Sequence, residues 1–137
     1  MADPDLRWRL RFANFERAFL LLETALAIPA PSVVEQAGLI QFFEMTFELA
    51  WKLLKDYEEA EGFQVKTPRE VLKQAFQSGF IDQGQNWLQA LQDRNLLSHT
   101  YSEHTAVTVE AKIRETYFPL LAALYQTFLA KLSPPSP

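Results

Sequence analysis

The chain has 137 residues, 48% of them hydrophobic and 22% charged, with a formal net charge of −4. That is one domain's worth of chain with an ordinary globular composition. The absence of cysteine excludes a disulfide framework, a zinc knuckle and a thiol nucleophile, and the acidic balance argues against a protein that coats nucleic acid by charge alone.

The N-terminal stretch is studded with Arg7, Arg9, Arg11 and Arg17, so it does not read as a signal peptide. No apolar run approaches the ~20 residues needed to span a bilayer. Leu10, Phe15, Phe19, Leu22 and Leu26 follow mostly helical spacing, which predicts a first helix over residues 5–28, ended by Pro29 and Pro31.

Ser32 and Glu35 form a capping box and open a second helix that runs to about Glu61, with Gly62 closing it. At ~100° per residue, the apolar side chains of this helix fill roughly two-thirds of its circumference. Phe42, Phe43, Met45, Phe47, Leu49, Ala50, Leu53, Leu54 and Tyr57 belong to that arc. A helix so apolar is expected at the centre of a bundle, or facing a partner chain. Its remaining stripe holds Glu44, Glu48, Lys52 and Lys55, with Trp51 at the border. Helix pattern alone leaves two readings open. The stripe is a solvated face with an i,i+4 pair from Glu48 to Lys52, or Glu44 and Glu48 line a cleft beside the Trp51 ring.

Thr67, Pro68 and Glu70 repeat the start signal for a short third helix ending near Gly79. A fourth helix is predicted from about Gln83 to Leu97. A fifth is predicted from about Thr105 to Lys131, kinked at Pro119. Residues 1–131 are expected to form a single helical domain, and 132–137 a disordered tail.

The densest run of reactive side chains is Gln92 to Tyr101. An arginine can hold a phosphate through two donors of its fork, and a histidine can move a proton near neutral pH. Arg94 and His99 therefore suit phosphodiester chemistry. On one continuous helix they would lie ~140° apart. Convergence then requires the helix to end near Leu97, or a second subunit to complete the site. By itself the spacing is common, and it also fits a capping or loop histidine and an Arg94 ion pair with Asp93 or Glu103. His104 has no ligand-spaced partner, so no metal role is assigned.

The wider pattern adds context. Arg94-Asn95-x-x-x-His99-x-Tyr101 resembles the R-x4-H-x-Y signature of the HEPN superfamily. Phe43-Glu44 through Glu48-Leu49-x-Trp51-Lys52, then Thr67-Pro68-Arg69-Glu70-Val71, Ala75-Phe76, Gly79-Phe80-Ile81 and Trp87-Leu88, are similar in order to one branch of it. That branch is the nucleotidyltransferase substrate-binding protein family. The resemblance covers about residues 8–131. It implies an all-α fold, an up-and-down left-handed four-helix bundle with short additional helices.

It also implies a cytoplasmic homodimer partnered by a minimal nucleotidyltransferase encoded nearby. RNA or a nucleotide is the ligand, with no membrane and no cofactor. By the same resemblance Arg94 stabilises the scissile phosphate of RNA and His99 is the acid–base residue of a metal-independent ribonuclease toxin. Asn95 orients the pair, and Tyr101 is the residue that the transferase antitoxin adenylylates. Glu44, Glu48, Trp51 and Lys52 match the family's motif and become candidates for lining the cleft. A non-catalytic subunit that binds nucleotide or substrate for the transferase is the alternative reading. A plain helical oligomerisation module is a third.

Overall fold

The computed structural model describes residues 3–99 and 102–133, with the backbone but not the side chains of Ser98, His99 and Glu103. The described residues form α1 (Pro4–Leu26), α2 (Val33–Ala60), α3 (Pro68–Gln77), α4 (Gly84–His99), α5 (Glu103–Lys112), a π-helical turn (Ile113–Tyr117) and α6 (Phe118–Leu132). The chain is an all-helical bundle, as expected, with α3 as a short additional helix.

Both capping boxes form. The Ser32 hydroxyl accepts from the Glu35 N–H at 3.1 Å and the Ser32 N–H donates back to the Glu35 carboxylate at 2.9 Å. Thr67 and Glu70 make the same reciprocal pair. Gly62 sits at φ +98°, the left-handed conformation that ends α2 with little strain in glycine.

α2 packs against α1, α3, α4, α5 and α6, which places it centrally. The centre of its buried arc is Phe43, Phe47, Ala50 and Leu54. Phe42 and Leu49 are half-buried and Met45 is 42% exposed, so one flank of the apolar arc stays partly open. Aromatic contacts join α1 to α6. Phe12 stacks on Tyr125 at 5.7 Å and Phe19 on Phe118 at 5.1 Å. Arg114 ties the ends together: it donates to Leu26 O at 2.8 Å and Ile28 O at 3.2 Å, satisfying carbonyls left over at the end of α1.

Three expectations about helix extent change. The helix from 105 to 131 is broken not at Pro119 itself but over the preceding Ile113–Tyr117, where the Phe118 N–H reaches back five residues to Ile113 O. Pro119 has no N–H to give and its ring crowds the carbonyl four residues back. Widening the turn by one residue accommodates both effects. The fourth helix continues past Leu97 through His99. Leu132 is helical rather than part of the tail, and residues 134–137 lie outside the described residues.

Two acids of α2 are buried, which the polar-stripe reading did not anticipate. Asp56, 5% exposed, accepts from Arg11 Nε at 2.9 Å. Glu58 is fully buried, and neither carboxylate oxygen has a hydrogen-bond partner among the described residues. Burial, and then the neighbouring charge of Glu59, push its pKa up to about 8. Between pH 4.5 and 8 the folded chain holds a proton there that the unfolded chain has released, so stability falls as pH rises through that window. Glu58→Met removes the group. Its stability relative to wild type, measured by urea unfolding, is expected to be ~2–4 kcal/mol more favourable at pH 9 than at pH 5.

Candidate functional site

Glu44, Glu48, Trp51 and Lys52 fall at i, i+4, i+7 and i+8 of α2, so they share one stripe of that helix. α4 runs alongside and brings Arg94 to the same stripe. Arg94 Nη2 contacts Glu48 Oε2 at 2.6 Å, a charge-assisted bond across 46 residues of sequence. Trp51 Nε1 donates to the same oxygen at 3.0 Å, and Lys52 Nζ lies 3.3 Å from Glu48 Oε1. One carboxylate thus gathers a guanidinium, an indole N–H and an ammonium. Asn95 Oδ1 accepts a long bond of 3.4 Å from Arg94 Nη1.

An open depression of about 530 Å³ lies beside this cluster. Ala37, Ile40 and Met45 supply its apolar wall, while Gln41, Glu44, Glu48 and Arg94 supply its polar groups. The solvated-stripe and cleft readings of α2 therefore divide. Glu44 and Glu48 line the depression. Trp51 and Lys52 do not, but hold Glu48 from the side. A second groove of about 430 Å³ between α3 and α4 is walled by Leu72, Phe76 and Leu88, with only Lys73 and glutamines at its rim. It offers no set of groups suited to catalysis.

The electrostatics follow the contacts. Burial raises the Glu44 pKa, and the charge of Arg94 only partly offsets that. Burial also works on Glu48, but the Trp51 hydrogen bond, Arg94 and Lys52 together outweigh it and hold its pKa below the usual carboxylate value. Arg94 is thus one of the groups that favour the charged form of Glu48.

Asp93 is not the partner of Arg94 that the sequence left open. It turns the other way, accepting a short hydrogen bond from the Tyr117 hydroxyl and lying 3.7 Å from Lys112 Nζ. Sequence reasoning missed this pair, since no local spacing links residues 93 and 117. Burial, then Asp93 itself, push the Tyr117 hydroxyl pKa well up, so it remains a proton donor.

His99 enters only through its backbone, which continues α4. Positions 94 and 99 of an uninterrupted helix lie ~140° apart around the axis. The condition for convergence within one chain, a helix ending near Leu97, is not met. Tyr101 lies outside the described residues. Among the described residues no group of three or more His, Cys, Asp or Glu side chains is placed to hold a metal ion, and no helix is long and apolar enough to cross a membrane.

The architecture has counterparts. The family model described as "Nucleotidyltransferase substrate binding protein like" matches residues 10–130. The chain belongs to this family. A Haemophilus influenzae relative named "Probable ribonuclease HepT" is 31% identical over 91 residues, 61% of this chain. The match spans 62% of that relative's length. A solved structure from Thermus thermophilus superposes with a TM-score of 0.73 at 32% identity, covering 88% of this chain and 99% of the other. A Haemophilus influenzae structure, described as revealing the fold of a substrate binding domain of a nucleotidyltransferase, gives a TM-score of 0.73 at 25% identity. It covers 86% of this chain and 98% of its own.

Arg94 and Glu48 have side chains 28% and 30% exposed, and exposed or half-exposed pairs contribute little to stability. Arg94→Ala is accordingly expected to cost ~1 kcal/mol or less in urea unfolding. A larger loss would mean that the arginine is chiefly structural.

Proposed function

We propose that this chain is the toxin subunit of a two-component system, a metal-independent endoribonuclease neutralised by a minimal nucleotidyltransferase that adenylylates Tyr101. The observation that carries this reading is the placement of Arg94, whose guanidinium edges an open depression and is held by Glu48, itself held by Trp51 and Lys52. A preoriented cation at a solvent-open site is what the developing charge on a phosphate needs. His99 supplies the proton transfer. Asn95 contacts Arg94 and helps to orient it. Glu44 and Glu48 line the cleft.

In this reading the active form is a homodimer. The uninterrupted α4 separates positions 94 and 99 within one chain, and the partly open flank of α2 around Met45 is available for a second copy. The site works in the cytoplasm, and the name of the Haemophilus influenzae relative is in keeping with it.

The second reading, a non-catalytic subunit that presents nucleotide or substrate to the transferase, draws on a specific observation. Arg94 is already engaged by a carboxylate, so a phosphate must share or displace that contact, as in a binding clamp. The description of the second solved structure agrees with it.

The purified chain incubated with total RNA in EDTA separates the two. Cleavage that falls at least ~100-fold in Arg94→Ala and in His99→Ala is expected for the ribonuclease. Cleavage equal in wild type and His99→Ala overturns it. Binding of RNA or nucleotide that weakens in Arg94→Ala, with no cleavage, establishes the clamp instead. Sedimentation at micromolar concentration is expected to give a dimer. Intact mass after incubation with the transferase and ATP is expected to show one adenylyl group, lost in Tyr101→Phe.

A further inference from the structure

The half of α4 that carries the site is thinly anchored by apolar packing. Trp87, Ala90 and Leu91 bury its first half, but beyond them only Leu97 is buried among the described side chains, and Leu96 is 49% exposed. What holds this half instead is polar. Arg94 is pinned to α2 through Glu48. Its neighbour Asp93, ~100° around the axis, is pinned to the other side through Tyr117 and Lys112. The buried Trp87, Ala90, Leu91 and Leu97 set the general facing of α4, and two polar pins on adjacent faces refine the setting of its distal half.

Tyr117 is built for this task. It is 2% exposed, its ring stacks on Phe43 at 5.7 Å and 17°, and its hydroxyl has Asp93 as acceptor. It is also the last residue of the π turn. Ile113 and Tyr117, four residues apart, both face inward.

We infer that Tyr117 is a positioning residue: its buried hydroxyl engages Asp93, which restrains the distal half of α4 and so presents Arg94 to the depression. The role in catalysis or binding rests on the reading of Arg94 given above, whereas the positioning does not. Trp51 allows the two to be tested apart, because its indole N–H shares the Glu48 oxygen with Arg94 and so reports where Arg94 sits.

The experiment uses the full ¹⁵N-labelled chain, with the Trp51 indole resonance assigned by Trp51→Phe, and a 5′-labelled single-stranded RNA of mixed sequence as probe. Tyr117→Phe keeps the ring and removes only the hydroxyl. It is expected to move the Trp51 resonance and to weaken RNA binding or cleavage about 10-fold or more, with the fold retained. Asp93→Asn still accepts from Tyr117 and is expected to keep the wild-type resonance position, while Asp93→Ala is expected to behave as Tyr117→Phe. A Trp51 resonance unmoved in Tyr117→Phe, or in Asp93→Ala should the first variant not fold, overturns the inference. A resonance that moves while RNA binding is unchanged in both Tyr117→Phe and Arg94→Ala upholds the positioning and removes Arg94 as the phosphate residue.

Discussion

α2 carries more apolar surface than a single neighbour can cover, and the other helices are laid around it. Burial of Phe43, Phe47, Ala50, Leu53 and Leu54 fixes how the helix is turned. Once that is set, the polar stripe with Glu44, Glu48 and Lys52 has one direction left to face. Glu48 can then meet α4, and the position of Arg94 follows. The site is in this sense a by-product of hydrophobic burial: the carboxylate that braces the arginine stands on the most firmly held helix of the chain.

The opposite holds for α4, whose distal half depends on hydrogen bonds and charge. Such contacts are directional, and they tolerate little displacement before they fail. They also exchange with water and ligands more readily than packed side chains do. A site needs both properties. A rigid wall from α2 bounds the depression, and directional polar contacts hold Arg94 at its edge. The fully buried Glu58, farther along α2, shows how costly it is to bury an acid without such partners.

Much of this was legible in the residues. The capping signals at Ser32 and Thr67, the closure at Gly62 and the central place of α2 all come from local chemistry or helical periodicity, which neighbours in sequence determine. The stripe holding Glu44 and Glu48 was legible as a stripe. That Arg94 would answer it was not, since this depends on how two helices meet. The family motifs pointed to Arg94, but neither motif nor spacing gave its partner. The pairing of Asp93 with Tyr117 was hidden for the same reason. The π turn was hidden because Pro119 announces a disturbance without saying how many residues will absorb it. The end of α4 was misjudged because a polar run such as Ser98 to Thr105 suits a helix terminus and an exposed helix turn equally.

The bonds of Arg114 to the carbonyls of Leu26 and Ile28 span 88 and 86 residues of chain. α1 and α2 are joined by a short connection and can pair as soon as both are synthesised. The end of α1 gets these donors only once Arg114 is in place. Until then those carbonyls have only solvent to bond. The early hairpin is thus a half-finished object, and the C-terminal segment is what closes it. The N-terminal hairpin thus waits on the C-terminal segment for its last hydrogen bonds, which favours folding of the whole bundle as one cooperative unit over folding helix by helix.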